Sequence, residues 1–133
     1  MEEKLISKYH RNIPIKEFDI NQTMYSLVYD ENKNDLNNYV TGFMGNNMTY
    51  GELMASVDKL AQAFHNIGVK EGDNVSILTI SMPVVQQCLL SLSKIGATMS
   101  WIDLRSKEQD LIKYIHEISL KPQFIGKIFI IYL

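Results

Sequence analysis

Apolar residues recur at spacings of three and four in the middle of the chain, between two residues typical of helix ends. The repeating positions are Leu53, Val57, Leu60, Ala61, Phe64 and Ile67. Thr49 and Glu52 precede them as a capping box, and Met48 can pack on Leu53 as a hydrophobic staple. Gly68 follows, where a left-handed backbone is accessible to glycine. The pattern predicts an amphipathic helix with one buried face between Thr49 and Gly68.

A second unit of strand and helix comes next. Residues 70–74 (KEGDN) have the composition of a turn, and residues 75–80 (VSILTI) predict a buried strand. Ser81 is the expected cap of the following helix, with Pro83 in its first turn and Gly96 at its end. Its apolar positions are Val84, Val85, Cys88, Leu89, Leu92 and Ile95.

A third unit repeats this order. Residues 98–102 (TMSWI) predict a short strand, and Ser106 with Gln109 forms a second capping box. The helix behind it has apolar residues at Leu111, Ile112, Ile115 and Ile118, and a last strand is expected within residues 123–132. Three strands that alternate with helices predict an α/β fold, with helices packed on a mainly parallel sheet.

The N-terminal third is less regular. Residues 1–22 mix charged and apolar positions and are expected to form an arm, so the α/β unit spans residues 23–133. Within that unit, residues 23–33 predict a short helix and residues 39–44 a strand. Residues 45–47 (GNN) predict a tight turn after this strand.

Composition narrows the function classes. The 133 residues are 46% hydrophobic and 21% charged with a net charge of −2, which is ordinary for one small globular domain. Lysine and arginine form no stripe that could neutralise phosphates, so no nucleic-acid partner is expected. The strongly apolar segment 125–133 is shorter than the roughly 20 residues of a membrane span, so no membrane partner is expected either. A single cysteine, Cys88, excludes an internal disulfide and indicates the cytoplasm.

Few side chains are candidates for chemistry. Asp103 and Arg105 follow the predicted strand 98–102, at the end of a strand where open α/β sheets bind ligands. The favoured interpretation is nevertheless an ion pair that fixes the loop. Gly72 and Asp73 could contact a nucleotide, but a glycine turn capped by aspartate is favoured. The remaining candidates, for which neither a metal site nor a nucleophile is supported, are His10, His65, His116 and Cys88. We therefore assign no catalytic, cofactor-binding or metal-binding residue.

Three sequence blocks at fixed spacing resemble the N-terminal region of the adenylate-forming (AMP-binding) synthetases. They are TYGEL (49–53), LAQAFHNIGVKEGDNVSIL (60–78) and LLSLSKIGATMSWIDLR (89–105), and the resemblance covers about residues 23–125. The family pattern has T-Y-x-E-L, then a G-V-x-x-G-D-x-V segment, then G-A followed by P-I-D. Trp101 replaces the usual proline before Ile102 and Asp103, which alters the entry to the following loop.

The resemblance implies an acyl-CoA synthetase-like ligase that uses ATP, magnesium and CoA through an acyl-adenylate. The chain holds no Ser/Thr/Gly-rich phosphate loop of the type T-S-G-T-T-G-x-P-K-G and none of the family's other catalytic motifs. We therefore expect an N-terminal scaffold portion of such a ligase, inactive alone, that has no cofactor of its own and needs the C-terminal region of the enzyme.

Two other hypotheses stay open. The segment 124–133 (FIGKIFIIYL) predicts an apolar strand edge, which either pairs with a second copy of the chain or is covered by residues outside this sequence. The first alternative is accordingly a non-catalytic, self-associating α/β module. The second is one half of a split ligase, completed by a polypeptide that carries the phosphate loop.

Overall fold

The structure, a computed structural model, describes residues 19–119 and 127–130. The expected arm over residues 1–22 therefore lies almost entirely outside the described residues. The helices are α1 (Met24–Asn32), α2 (Tyr50–Asn66), α3 (Pro83–Ile95) and α4 (Glu108–Ser119). The strands are β1 (Tyr39–Phe43), β2 (Asn46–Thr49), β3 (Asn74–Thr79), β4 (Thr98–Asp103) and β5 (Lys127–Ile130).

A parallel sheet of order β4-β3-β5 organises the second half of the chain. Val75 pairs with Met99 in β4 and with Lys127 in β5, so β3 is the central strand. The two connections run across the sheet in opposite directions, for which the right-handed crossover rule predicts α3 and α4 on opposite faces. The predicted α/β fold with a mainly parallel sheet is confirmed.

The main core lies between β3 and the helices on one face of the sheet. All six residues of β3 are buried, as expected for a central strand covered on both faces. The core cluster contains Phe64, Val69, Val75, Ile77, Cys88, Leu92 and Ala97. Four positions of the apolar face predicted for α3 therefore belong to this core, namely Val84, Cys88, Leu92 and Ile95, whereas Val85 and Leu89 are half-buried.

A second core cluster joins α2 to α3, away from the sheet. Leu53, Val57 and Leu90 form its buried centre, and residues of α1 and of the first two strands pack around it. Leu90 and Ser91 are buried although they lie outside the predicted apolar face of α3. Leu90 and Ser91 are buried because α3 is covered by the sheet on one side and by α1 and α2 on the other.

β1 and β2 form an antiparallel hairpin that the sequence only half predicts. β1 confirms the expected strand, but residues 45–47 are not one turn. Phe43 pairs with Asn46, so the two-residue loop is Met44 and Gly45, and Asn46 already belongs to β2. Both loop residues have positive φ (49° and 83°), which is the requirement of a type I′ turn.

The ends of α2 follow the sequence closely. The Thr49 hydroxyl accepts the Glu52 N–H at 3.2 Å, and the Glu52 carboxylate accepts the Thr49 N–H at 2.8 Å. This geometry confirms the first capping box. At the other end Gly68 has φ 86°, and the Val69 N–H bonds the Phe64 carbonyl at 2.9 Å, as in a Schellman motif.

The prediction that Ile67 belongs to the buried face of α2 is wrong. Ile67 is 55% exposed because the helix ends at Asn66, so the side chain after it leaves the helical stripe. Met54, which was not assigned to that face, is buried.

The starts of the next two helices differ from prediction. Met82, not Ser81, occupies the N-cap position of α3, because Pro83 at the first helical position favours an extended backbone before it. α4 begins at Glu108, so Lys107 and not Ser106 is the residue directly before the helix. The predicted capping box of Ser106 and Gln109 is therefore wrong.

α4 is also less buried than its apolar spacing predicts. Leu111 and Ile115 are half-buried, whereas Ile112 is 61% exposed. The side chain of Ile118 lies outside the described residues. The last predicted strand is confirmed as β5, at one edge of the sheet.

Candidate functional site

The carboxyl ends of β3 and β4 form the sheet edge at which the sequence predicts the candidate residues Asp103 and Arg105. The Trp101 indole N–H donates to the Thr79 carbonyl at 3.1 Å, and the Leu104 N–H approaches the same oxygen at 3.4 Å. The indole thus ties the end of β4 to the end of β3 at the position where the family pattern has proline. Trp101 remains 43% exposed, so this edge presents an aromatic surface.

Asp103 and Arg105 meet at this edge as an ion pair. The Arg105 Nε lies 3.0 Å from Asp103 Oδ1, the second guanidinium nitrogen contacts Oδ2, and the Arg105 backbone N–H donates to Oδ1 at 2.9 Å. Hydrogen bonds from Arg105 lower the pKa of Asp103 to about 2. All of these bonds lie inside one turn after β4, which supports the interpretation that the pair fixes the loop.

Gly72 and Asp73 lie at the opposite, N-terminal end of the sheet. Gly72 has φ 81° and donates its N–H to the Gly96 carbonyl at 3.0 Å. The Asp73 carboxylate accepts the Lys70 N–H at 3.1 Å, and the Asp73 carbonyl accepts the Thr98 N–H at 2.8 Å. This geometry is that of a glycine turn capped by aspartate, the interpretation that the sequence favours, and it joins the loop before β3 to the loop before β4.

The described histidines and Cys88 do not lie together in one site. His65 and His116 are exposed on different helices, and His10 lies outside the described residues. Cys88 is fully buried, and burial raises the pKa of its thiol to about 11, which disfavours the nucleophilic thiolate. Among residues 19–119 and 127–130, no three His, Cys, Asp or Glu side chains are placed to hold a metal ion.

The described residues therefore offer no cluster of ligands for the magnesium ion that the resemblance implies. Asp103, the acidic residue at the end of β4, is already paired with Arg105, and the described residues contain no carboxylate cluster that could hold a divalent cation. We derive no catalytic step from these residues. The same described residues include no helix that is long and apolar enough to cross a membrane.

A polar cluster that the sequence analysis did not identify joins the three N-terminal helices. Lys94 Nζ contacts Asp58 Oδ1 and lies 3.1 Å from the Tyr25 hydroxyl, and the Tyr25 N–H donates to Ser93 Oγ at 3.1 Å. These contacts raise the pKa of Lys94 above its ordinary value, first of all through Asp58. The residues are 36 and 69 positions apart, so no local pattern brings them together.

A family profile described as AMP-binding enzyme matches residues 30–126. The chain belongs to the AMP-binding enzyme family. This confirms the resemblance given by the three sequence blocks. The matched range begins in α1 and ends just before β5, so it contains the buried residues of both core clusters.

Curated relatives match a shorter stretch of this family member. Acetyl-coenzyme A synthetase 1 of Candida albicans is 45% identical over 56 residues, which cover 42% of this chain and 8% of that protein. Crotonobetaine/carnitine–CoA ligase of Proteus mirabilis is 37% identical over 57 residues, which cover 43% of this chain and 11% of that protein. The matches thus span about a tenth of these relatives' length.

Solved structures show the same fold. The N-terminal subdomain of Klebsiella oxytoca NpsA superimposes with a TM-score of 0.67 at 23% identity, over 71% of this chain and 25% of that chain. VinN superimposes with a TM-score of 0.69 at 15% identity, over 76% of this chain and 27% of that chain. The α/β body described above is therefore a recurring part of larger structures.

Proposed function

We propose that this chain is the N-terminal scaffold portion of an ATP-dependent ligase that joins a carboxylic acid to CoA or to a carrier thiol. The observation that carries the proposal is the family match over residues 30–126, together with relatives named as acetyl-coenzyme A synthetase and carnitine–CoA ligase. A cytoplasmic location is part of the proposal and is supported by the single, unpaired Cys88.

In the proposed parent reaction a carboxylate attacks the α-phosphate of ATP and displaces pyrophosphate. The resulting acyl-adenylate has AMP as a good leaving group, which the thiol then displaces to form a thioester. Such a transfer needs positive charge at the developing negative oxygens and a cradle for the phosphates. The role left to this chain is architectural: its helices and sheet hold the first part of the ligase in shape.

Isolated activity is the first test. We expect the 133-residue chain, given ATP, magnesium and acetate, to show ATP–pyrophosphate exchange at background, with an intact acetyl-CoA synthetase as the positive control. The expectation follows because the chain carries no recognisable phosphate loop. Exchange above background that grows with chain concentration would contradict the scaffold assignment.

A chimera tests the scaffold role directly. Residues 30–119 replace the matched region of an active acetyl-CoA synthetase, and the chimera is expected to retain exchange activity. The matched control carries Val57→Asp, which places a carboxylate in the core cluster of α2 and α3 and should abolish folding. A folded chimera without exchange would argue against the proposal.

The split-ligase alternative makes a different prediction. Exchange that appears only after a second polypeptide carrying a phosphate loop is added would favour a two-chain enzyme. Exchange that stays at background with every candidate partner would remove that alternative and leave the scaffold or the self-associating module.

A further inference from the structure

Trp101 occupies a position where the family pattern has proline, and the two residues restrict a chain in different ways. Proline fixes φ at about −65° through its ring and has no backbone N–H. It is tolerated on an outer strand, and β4 is an outer strand of the described sheet. Tryptophan has no ring restriction of φ, so the backbone that enters the turn after β4 needs another constraint to be held as firmly.

A side-chain hydrogen bond supplies such a constraint. The Trp101 indole N–H donates to the Thr79 carbonyl at 3.1 Å. Thr79 is the last residue of β3 and is 1% exposed, so the bond ends on a buried part of the central strand. An indole has one polar hydrogen, and this bond uses it. Because the ring itself is 43% exposed, burial alone does not explain a tryptophan at this position.

The turn after β4 is shaped by bonds within itself. The Ser106 N–H donates to the Asp103 carbonyl at 3.0 Å, and the Arg105 N–H donates to the Asp103 carboxylate at 2.9 Å. Neither bond joins the turn to β3. The Leu104 N–H does approach the Thr79 carbonyl, but the distance of 3.4 Å is long for a hydrogen bond. The shorter indole bond is therefore the stronger of these two contacts with the Thr79 oxygen.

We propose that Trp101 is a positioning residue, whose indole bond to Thr79 replaces the constraint of the family's proline. It holds the turn of residues 103–106 against the end of β3. The means differ, because proline restricts the backbone locally whereas the indole bridges two neighbouring strands. The inference rests on the proposed function, since it specifies what this part of the scaffold keeps in place: the edge where open α/β sheets bind ligands.

Hydrogen exchange of the full chain, followed by NMR, tests the proposal. Trp101→Phe keeps an aromatic ring and removes the N–H, so the Leu104 amide should exchange at least about threefold faster, as expected for the loss of one hydrogen bond. Trp101→Pro should return this rate to that of the unmodified chain. Tyr114→Phe is the matched control, because it removes a polar hydrogen from an aromatic residue of the same 43% exposure on α4, and it should change nothing.

Amides of α2 separate a local effect on the turn from a loss of global stability. They should exchange at the same rate in the unmodified chain and in all three variants. An unchanged Leu104 rate in Trp101→Phe, or an equal acceleration in α2, would overturn the proposal. So would a Trp101→Pro chain that does not fold or does not slow the Leu104 amide.

The synthetase chimera distinguishes failure of this inference from failure of the proposed function. A folded chimera that is inactive with Trp101 in place contradicts the proposed function, and the exchange rates of the full chain still decide the role of Trp101. In an active chimera, Trp101→Phe should lower kcat/KM for acetyl-CoA formation by at least about threefold, because a displaced turn misplaces groups at the ligand-binding edge. Trp101→Pro should restore it. An active chimera that is unaffected by Trp101→Phe would overturn the positioning role.

Discussion

At the level of single residues, two fully buried serines differ in their hydrogen bonds. Ser91 Oγ lies 3.1 Å from the Val57 carbonyl and 2.6 Å from the Gln87 carbonyl, so it bonds backbone oxygens between α2 and α3. Ser76, in the central strand, is fully buried, and its Oγ has no partner among the described residues. The free energy of a buried hydroxyl depends on that difference.

Ser76→Ala is therefore expected to raise the free energy of unfolding by about 1 kcal/mol, because it removes a buried hydroxyl that is not paired. Ser91→Ala, the matched control, should lower it by about the same amount, because it removes a hydroxyl that is paired. Urea unfolding of the unmodified chain and of both variants measures these changes in the free energy of unfolding. A loss of stability in Ser76→Ala would indicate that an ordered water or another group bonds Ser76.

Asp103 gives a prediction of pH dependence. Its pKa is lower in the folded chain, about 2, than the usual value of about 3.9 for an unfolded aspartate. The carboxylate therefore stabilises the folded state above about pH 3.9, and this contribution is lost as the pH falls toward 2. An NMR titration of the Asp103 carboxyl carbon should show the low pKa, and Arg105→Gln should return it toward 3.9. A titration unchanged by that substitution would exclude Arg105 as the cause.

At the scale of elements, α2 and α3 end in the same way and their end loops touch. The Ala97 N–H bonds the Leu92 carbonyl at 2.9 Å after a glycine with φ 83°, as Val69 does after Gly68. The carbonyl of Gly96 then accepts the N–H of Gly72. Two helix ends that the sequence marks by glycine are thus coupled through the turn before β3.

Gly96→Ala should destabilise the chain more than Gly72→Ala, although both glycines have nearly the same φ. Each alanine incurs about 1 kcal/mol for a left-handed backbone. A Cβ on Gly96 would also lie 2.9 Å from Glu71 Cγ, whereas a Cβ on Gly72 meets nothing within 4 Å. Thermal unfolding compares the two variants.

Adding Glu71→Ala to Gly96→Ala should remove the stability loss that exceeds the loss in Gly72→Ala, and leave only the cost of the left-handed backbone. If the double variant is no more stable than Gly96→Ala alone, the Glu71 contact is not the reason for the difference. Glu71→Ala by itself serves as the reference for the cycle.

At the scale of the whole molecule, one lysine connects elements that are far apart in sequence. Lys94 of α3 contacts Asp58 of α2 and the Tyr25 hydroxyl of α1, and Tyr25 also stacks on Tyr29 with ring centroids 6.0 Å apart. No residue of α1 is fully buried, although Tyr25 and Val28 pack against the second core cluster, and the contacts of Lys94 add to this attachment.

Lys94→Met should lower the free energy of unfolding by up to about 1 kcal/mol, the usual range for a partly exposed ion pair. The effect should be local to α1. Hydrogen exchange of the α1 amides should therefore accelerate, while that of the α2 amides stays unchanged. Lys59→Met, at an exposed position of α2, is the matched control and should change neither. Equal effects of the two variants would show that Lys94 has no special role in holding α1.

Patterns in the sequence were enough to predict the fold class, the ends of α2, the glycine that ends α3 and the family. These features depend on residues within a few positions of one another or on fixed spacing, which a linear pattern contains. The burial of Leu90 and Ser91, the contacts of Lys94 with α1 and the start of β2 at Asn46 became known only from the folded chain. Each of these depends on a neighbour distant in sequence, or on strand pairing across a turn, and no local periodicity records such contacts.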